Sequence, residues 1–579
     1  MRELINEDGR SFGEEIDEVT TALAGLPNDD RCAFRNGNSS AIACHPARRL
    51  LIVAGPGSGK SFLFLDRIRY WLEQDASARI YVSTFVRKLV NDLLNEIEVK
   101  LDADARKQVE GATLHSLARS ILERSGGTSA LSLGPYVKVI AGDHWEHVVW
   151  RDVLTFHPGV TGHSLGALKA QFQDDELSDE PAWVELRATY DKLRSFYNAV
   201  GFADMIVSAR HAVEENPSLI QHTFWIVDEF QDFNRAEEHL IRVLTGDADG
   251  VLIAGDDEQA LYQQLKGATP EIIVAYYGDP DFANAMLPYC SRCSYYICLA
   301  ASAFIDCHRG DGAIVKSYIP LAEAPEETKV QVVLTAAPRT AVAYIERFLN
   351  DHAEELRAHE EAMAAGAETD PFLLILSPQR EVSFYLGAAE ALFDLVSPWA
   401  GEGSHRSRDY WLVVEYCMAA WRGDNFAVRK VLDHEGKSVS VVHGLIARAL
   451  AESKSLVELD DNLVRDVMAK CRQVVSLIEA EDASATEMAA QCAEIVPLGD
   501  IERLARELEV HPISKSGPSS SCASPAGLKA HIADWADLRR AMVSGRARRR
   551  GRSVPGVSCN HCPRGSRTTT AVSFERRGA

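Results

Sequence analysis

No stretch of this chain approaches the roughly 18 consecutive apolar residues that a membrane-crossing helix needs. Its first residues, Met1 to Asp8, are polar and acidic, which is not the pattern of a secretory signal. Its twelve cysteines follow no regular framework and read as reduced thiols. Together these absences point to the cytoplasm. An excess of cations is missing too. The net charge is −23, which excludes a surface coated for nucleic acid. A local groove is not excluded, because salt screens surface fields within about 8–10 Å. Any nucleic acid would therefore lie in a channel. Internal repeats of about 20–50 residues are absent as well.

The chain has 579 residues, 46% of them hydrophobic and 25% charged, as in ordinary globular protein. That length is too great for one core and implies roughly three to five domains or subdomains. Four short apolar runs read as buried parallel strands: Arg49–Ala54, Ile80–Ser83, Thr223–Val227 and Gly250–Ala254. Helical spacing follows the first after Lys60, and follows the second over Val86–Val99. Strands alternating with helices predict an open parallel α/β sheet, with ligand chemistry at the carboxyl ends of the strands. The residues between Leu101 and Ile220 have a helical pattern and read as an inserted subdomain. Phe372–Leu376 is a candidate strand of a second sheet, residues 400–510 are helix-rich, and from Gly517 the text turns rich in Ser, Arg and Gly.

The first strand ends in Ala54-Gly55-Pro56-Gly57-Ser58-Gly59-Lys60-Ser61. Backbone N–H groups can wrap a phosphate where glycines leave them unobstructed, and Gly55, Gly57 and Gly59 do so here. Lys60 brings a point charge to the β- and γ-phosphates, and the Ser61 hydroxyl is placed for Mg²⁺. The helix that follows points its N-terminus at the anion. A nucleoside triphosphate is the expected ligand; the alternative is a glycine turn that happens to precede lysine. Ala54 stands where the strict pattern has glycine.

Asp228-Glu229-Phe230-Gln231-Asp232 closes the third strand. An aspartate there can hold Mg²⁺ and a glutamate beside it can deprotonate an attacking water. An acidic surface loop is the competing account. Gly255 to Tyr262 (GDDEQALY) closes the fourth strand, where Gln259 is placed to contact the γ-phosphate or the water, or to belong to an ordinary polar turn.

AGPGSGKS, STFVRKLVNDLLNEI, TLHSLA, VDEFQD and GDDEQALY, in this order, resemble the UvrD/Rep family of superfamily 1 DNA helicases. The resemblance covers residues 30–300 well and 300–516 loosely. It implies a phosphate-loop NTPase built of tandem RecA-like parallel sheets with helical insertions, using ATP and Mg²⁺. It also implies a partner that is single-stranded DNA or duplex with a single-stranded tail. Under it, residues 54–61 bind nucleotide, with Lys60 and Ser61 on phosphate and Mg²⁺. Asp228 binds Mg²⁺, Glu229 is the catalytic base, and Gln259 couples ATP state to DNA grip. Thr84, Phe85, His115 and Tyr262 match DNA-contacting positions, although packing competes as the reason for Phe85, His115 and Tyr262. Stacking of a base on Phe85 would contribute about 1–3 kcal/mol. Leu287-Pro288-Tyr289-Cys290-Ser291-Arg292-Cys293 resembles the family's fourth motif, which makes Arg292 an internal arginine finger. Cys290 and Cys293, with Cys559 and Cys562, form two C-x-x-C pairs, too far apart in sequence to favour zinc.

The chain departs from the family in three places. Asn38 stands where the family has an adenine-reading glutamine. The aromatic expected after Tyr262 is missing. The fifth motif stops at Ser516 within Pro512-Ile513-Ser514-Lys515-Ser516, and the sixth is not recognisable. A change of reading frame after Ser516 explains the text: AAG GGC CTN without its first two bases reads Gly-Pro, as at Gly517-Pro518. The competing reading is a basic disordered tail that binds DNA electrostatically. The expected organisation is a first RecA-like domain (1–100 and 221–285), a helical insertion (101–220), the start of a second, incomplete RecA-like domain (286–395), a further helical insertion (396–505) and an aberrant segment (506–579). Three functions stand open: a 3′-to-5′ DNA helicase or translocase, an ATP- and DNA-binding protein with a defective motor, and a general phosphate-loop ATPase.

Overall fold

The computed structural model describes residues 5–6, 25–84, 94, 97, 100–101, 103–140, 143–260, 267–310, 312–316, 318–321, 344, 347–364, 407–480, 483–510 and 513. In chain order the strands are β1 (Ile5–Asn6), β2 (Arg49–Ala54), β3 (Ile80–Thr84), β4 (Val109–Thr113), β5 (Lys138–Val139), β6 (Ala199–Val200), β7 (Phe224–Val227), β8 (Gly250–Gly255), β9 (Ala283–Leu287), β10 (Tyr289–Cys290) and β11 (Ile319–Pro320). Seven of them form one sheet in the order β1-β9-β2-β8-β7-β3-β4. From β9 to β4 the strands are parallel; β1 joins antiparallel at the β9 edge. This mixed α/β architecture around a six-strand parallel sheet is that of a RecA-like phosphate-loop domain.

The four apolar runs read from the sequence are β2, β3, β7 and β8. All four are buried along their length except for half-buried Arg49, so each reads as a continuous hydrophobic run rather than an alternation. The helix Lys60–Gln74 lays Leu63, Phe64, Ile68 and Trp71 on the sheet, where they share a core with Ile52, Ile80, Ile226 and Leu252. Register sets the site: Val53 pairs with Gly255, Val227 with Ile253 and Ser83 with Val227. The ends of β2, β8, β7 and β3 therefore come level.

Residues 1–328 and 423–464 group into one unit, and residues 329–422 and 465–579 into a second. In the first unit, helices between Leu114 and Glu215 form the bulk of the segment inserted between β4 and β7. The helix Asn425–His434 packs on this segment. Arg429 enters it fully buried, with Nη2 2.8 Å and Nε 3.0 Å from the Asp152 carboxylate, which also accepts a hydrogen bond from the Tyr197 hydroxyl at 2.7 Å. Lys138 and Asp424 form a second ion pair at 2.6 Å. In the second unit, the helix Arg408–Arg422 is tied by the Asp409 carboxylate, which accepts from the Gly499 and Asp500 N–H groups at 2.9 and 2.7 Å, and by the Trp421 indole, which donates to Glu479 at 3.0 Å. Phe372–Leu376 and the segment after Ser516 lie outside the described residues. Among the described residues no helix is long and apolar enough to cross a membrane.

Candidate nucleotide-binding site

β2 delivers the chain to its carboxyl end at Ala54, and residues 55–59 then turn into the helix that starts at Lys60. The turn needs left-handed backbone at two places, φ +69° at Gly57 and +96° at Gly59, where L side chains are strained. Ser58 stiffens it by donating its hydroxyl to the Gly55 carbonyl at 2.8 Å. A side chain on Gly57 would strike the Arg292 Cβ and sit 3.2 Å from Cys290 Sγ. Ser291 fastens the same place, giving both its N–H and its hydroxyl to the Gly57 carbonyl at 2.9 Å. Gly59 faces open space, and Ser61 is exposed in the first helical turn.

Lys60 Nζ lies 3.2 Å from Glu229 Oε1 and 4.0 Å from Asp228 Oδ1, at the end of β7. Burial opposes its charge, but the carboxylates of Asp228 and Glu229 outweigh that and hold the ammonium above its ordinary value. Asp228 is pushed the other way by burial, to about 7, with Lys60 opposing the rise and Glu229 adding to it. A buried carboxylate of this kind is short of positive charge. Added to a glycine loop that is open at Gly59, it is a donor set that fits a divalent cation held beside a polyphosphate.

Glu229 adopts φ +53°, left-handed for a residue with a side chain, a strain of about 1–3 kcal/mol. Its carboxylate is gripped at both oxygens, by Lys60 on Oε1 and by the Gln231 amide on Oε2 at 2.9 Å. Gln231, also buried, turns its Oε1 to accept the Asp256 N–H at 3.0 Å, so one amide bridges the ends of β7 and β8. A Cβ at Gly255 would stand 2.6 Å from that Oε1, which is why the strand ends in glycine.

Asp256 is fully buried and organises the third cluster. It caps the short turn Asp257–Gln259 through the Glu258 N–H at 3.2 Å and accepts from the Gln259 amide and the Tyr318 hydroxyl. Lys316 Nζ lies among three carboxylates, 2.9 Å from Asp256 and 3.3 Å from Glu258, and in contact with Asp257. The Tyr318 ring lies against Gly55.

Residues 35–281 match the family described as the UvrD/REP helicase N-terminal domain. Those residues are similar to a UvrD/REP helicase N-terminal domain. The chain is 25% identical over 286 residues to DNA helicase II of Salmonella typhimurium (strain LT2) and 26% identical over 286 residues to DNA helicase II of Escherichia coli (strain K12); each alignment covers 46% of this chain and 39% of the relative. It is 26% identical over 259 residues to ATP-dependent DNA helicase PcrA of Staphylococcus aureus (strain Mu50), covering 41% of this chain and 35% of that protein. The alignments thus span about two fifths of the relatives' length.

The structure gathers Lys60, Asp228, Glu229 and the backbone of Arg292 around one loop, with Gln259 one side chain away across Asp256. Thr84 is buried at the end of β3, paired with Thr113 of β4. His115 lies in the first turn of the next helix, Leu114–Ser125, with Nδ1 3.6 Å from Glu237 and its ring edge-on to Phe202 at 5.1 Å. Asn38 is buried, and its amide donates to the Met286 carbonyl of β9 at 3.0 Å. Phe85 and Tyr262 lie outside the described residues, as do Cys559 and Cys562. Three participants escaped the sequence reading. Gln231 sits inside VDEFQD, where its spacing from Glu229 was the available signal. Lys316 and Tyr318 sit in Gly312–Leu321, which carries no pattern that could have found them.

Proposed function

We propose that this chain is an ATP-dependent DNA translocase or helicase of the UvrD-like class, moving 3′ to 5′ on single-stranded DNA. The juxtaposition of Lys60 with Asp228 and Glu229 at the ends of β2 and β7 carries the reading. Lys60 moves from the two carboxylates to the β- and γ-phosphates when nucleotide enters. Ser61 and Asp228 hold Mg²⁺, which supplies charge neutralisation for the phosphates. Glu229, freed on Oε1 and still oriented by Gln231 on Oε2, accepts the proton of the attacking water. Arg292, beside Gly57, neutralises charge on the γ-phosphate. Gln259 and Asp256 pass the nucleotide state to the strand ends, and Thr84, Phe85, His115 and Tyr262 are the positions proposed to contact the single strand. Likeness to DNA helicase II and PcrA supports DNA as the track.

A second reading has its own observation: the fifth motif breaks off at Ser516, before Gly517-Pro518. On that reading the chain binds ATP and DNA with a defective motor. ATP turnover with and without single-stranded DNA separates the two. Stimulation by DNA supports the motor; binding without turnover supports the second reading. DNA-indifferent turnover would refute both. Lys60→Ala should abolish nucleotide binding, whereas Glu229→Gln should keep binding and lower hydrolysis by about 10²–10⁴-fold.

A further inference from the structure

The turn that covers Gly57 carries chemistry the proposed reaction does not use. It begins at Cys290, buried at the end of β10, and closes at Cys293, which is partly exposed. The Cys293 N–H donates to Cys290 Sγ at 3.4 Å, so the chain doubles back over one sulfur. Buried Cys298, in the first turn of the helix Tyr295–His308, directs its thiol toward the Cys293 carbonyl at 3.9 Å. The hydrogen bonds of the Cys293 and Cys298 thiols act on the same Cys290 sulfur. Those hydrogen bonds hold the Cys290 thiol well below its ordinary value, with burial opposing them. Among the described residues no group of three or more His, Cys, Asp and Glu is arranged to hold a metal ion.

We propose that Cys290 and Cys293 are a peroxide-responsive dithiol whose disulfide locks the Ser291–Arg292 turn against the phosphate loop. Cys293 is the sulfur that a reagent reaches. Its sulfur, passing its thiol proton to the Cys290 thiolate, attacks one oxygen of a hydroperoxide, the O–O bond breaks, and Cys293 becomes a sulfenic acid as hydroxide leaves. The Cys290 thiolate then attacks the Cys293 sulfur, the S–S bond forms and the sulfenic hydroxyl leaves as hydroxide. The two thiol protons neutralise the two hydroxides. Two thiols and one hydrogen peroxide thus give one disulfide and two waters, with two electrons passing from sulfur to oxygen. Cys298 donates to the Cys290 sulfur and positions it for the second step.

The consequence follows from what the two cysteines bracket. Ser291 and Arg292, the residues between them, are those that bind the Gly57 carbonyl and pack on its Cα. A bond from 290 to 293 joins both ends of that turn and removes its freedom to lift. With that turn fixed over Gly57, the loop has less room to adjust around a phosphate, so the oxidised chain binds nucleotide more weakly. This effect rests on the nucleotide-site reading; formation of the disulfide does not.

The test uses the full chain, reduced and then treated with hydrogen peroxide. Peptide mass mapping should find a 290–293 link two hydrogens lighter than the dithiol, reversed by dithiothreitol. Affinity for a fluorescent ADP analogue with Mg²⁺ should fall at least tenfold on oxidation and recover on reduction. Cys293→Ala, a change at a partly exposed site, should bind ADP normally and ignore peroxide. Cys298→Ala should form the link more slowly. Sulfinic acid at Cys293 without a link, a link between other cysteines, or a 290–293 link with unchanged ADP affinity would overturn the proposal. A reduced chain that binds no ADP would instead sink the nucleotide reading, and the mapped link would still decide the dithiol.

Discussion

Gln231→Leu removes the amide that joins Glu229 to the third cluster. The buried Gln231 side chain makes two hydrogen bonds, one donated to the Glu229 carboxylate at 2.9 Å and one accepted from the Asp256 N–H at 3.0 Å. A hydrogen bond to a charged group is worth about 1.5–3 kcal/mol, and a buried N–H left without a partner costs about 1–3 kcal/mol. Leucine recovers part of this through apolar burial, so the expected net loss is about 2–4 kcal/mol. Urea denaturation of the ligand-free chain measures it. The functional effect should be separable. Lys60 and the glycine loop are untouched, so nucleotide affinity should stay within about threefold. Hydrolysis should fall about 10–100-fold, or about 1.4–2.7 kcal/mol of barrier, because Glu229 keeps only its Lys60 anchor and loses that when Lys60 moves to phosphate. Gln231→Glu is the partner experiment. It keeps an acceptor for Asp256 N–H but sets a second carboxylate against Glu229, so its penalty should grow as pH rises through the carboxylate range. A Gln231→Leu chain within about 0.5 kcal/mol of the parent, with unchanged turnover, would refute the bridge.

Asp228 predicts an opposed pair of pH dependences. Burial raises its folded-state value to about 7, so between about pH 4 and 7 the folded chain keeps a proton that the unfolded chain has lost. Its contribution to ligand-free stability is full below about pH 4 and is lost as pH rises through about 7. Affinity for Mg²⁺-nucleotide should rise over the same interval, because the cation needs the ionised carboxylate. Asp228→Asn should flatten both curves, read by urea melts and nucleotide titration at several pH values. Gly57→Ala should lower nucleotide affinity at least tenfold and destabilise the chain by about 1–3 kcal/mol through left-handed strain and collision with Arg292; a neutral change would contradict the close approach of the 291–292 turn. Asp152→Ala should cost about 3–5 kcal/mol, since it leaves Arg429 buried without its main carboxylate, and chemical denaturation measures it.

The phosphate loop and the acidic ends of β7 and β8 were legible because their signal is local. An apolar β-branched run stopping at glycines or carboxylates needs no partner to be read. β4 and β9 were not legible for the opposite reason. Val109–Thr113 (VEGAT) and Ala283–Leu287 (ANAML) have weak strand character of their own. They become strands by pairing with β3 and β2, which are already strands. Asn284 illustrates this: it is a poor strand former, yet it is buried in β9 because its amide finds the Tyr277 carbonyl at 2.7 Å. Arg292 was placed by motif order and does lie at the loop. Lys316 and Tyr318 reach the same site from a segment whose composition says nothing, since their roles come from three-dimensional proximity to Asp256. Asn38 was read as a departure at the adenine-reading position, and its amide is spent on β9.

The Asp152–Arg429 pair joins residues 277 apart in sequence. During synthesis at about 5–20 residues per second, roughly 14–55 s separate the emergence of the two partners. Through that interval the helix carrying Asp152 and the Tyr197 hydroxyl that binds it have no guanidinium to cover them. Through that interval the nascent chain therefore exposes a carboxylate on its helical insertion that only its own distant residues can cover. A truncation ending before Arg429 should leave this carboxylate without its guanidinium, and urea denaturation should find the insertion less stable than in the full chain.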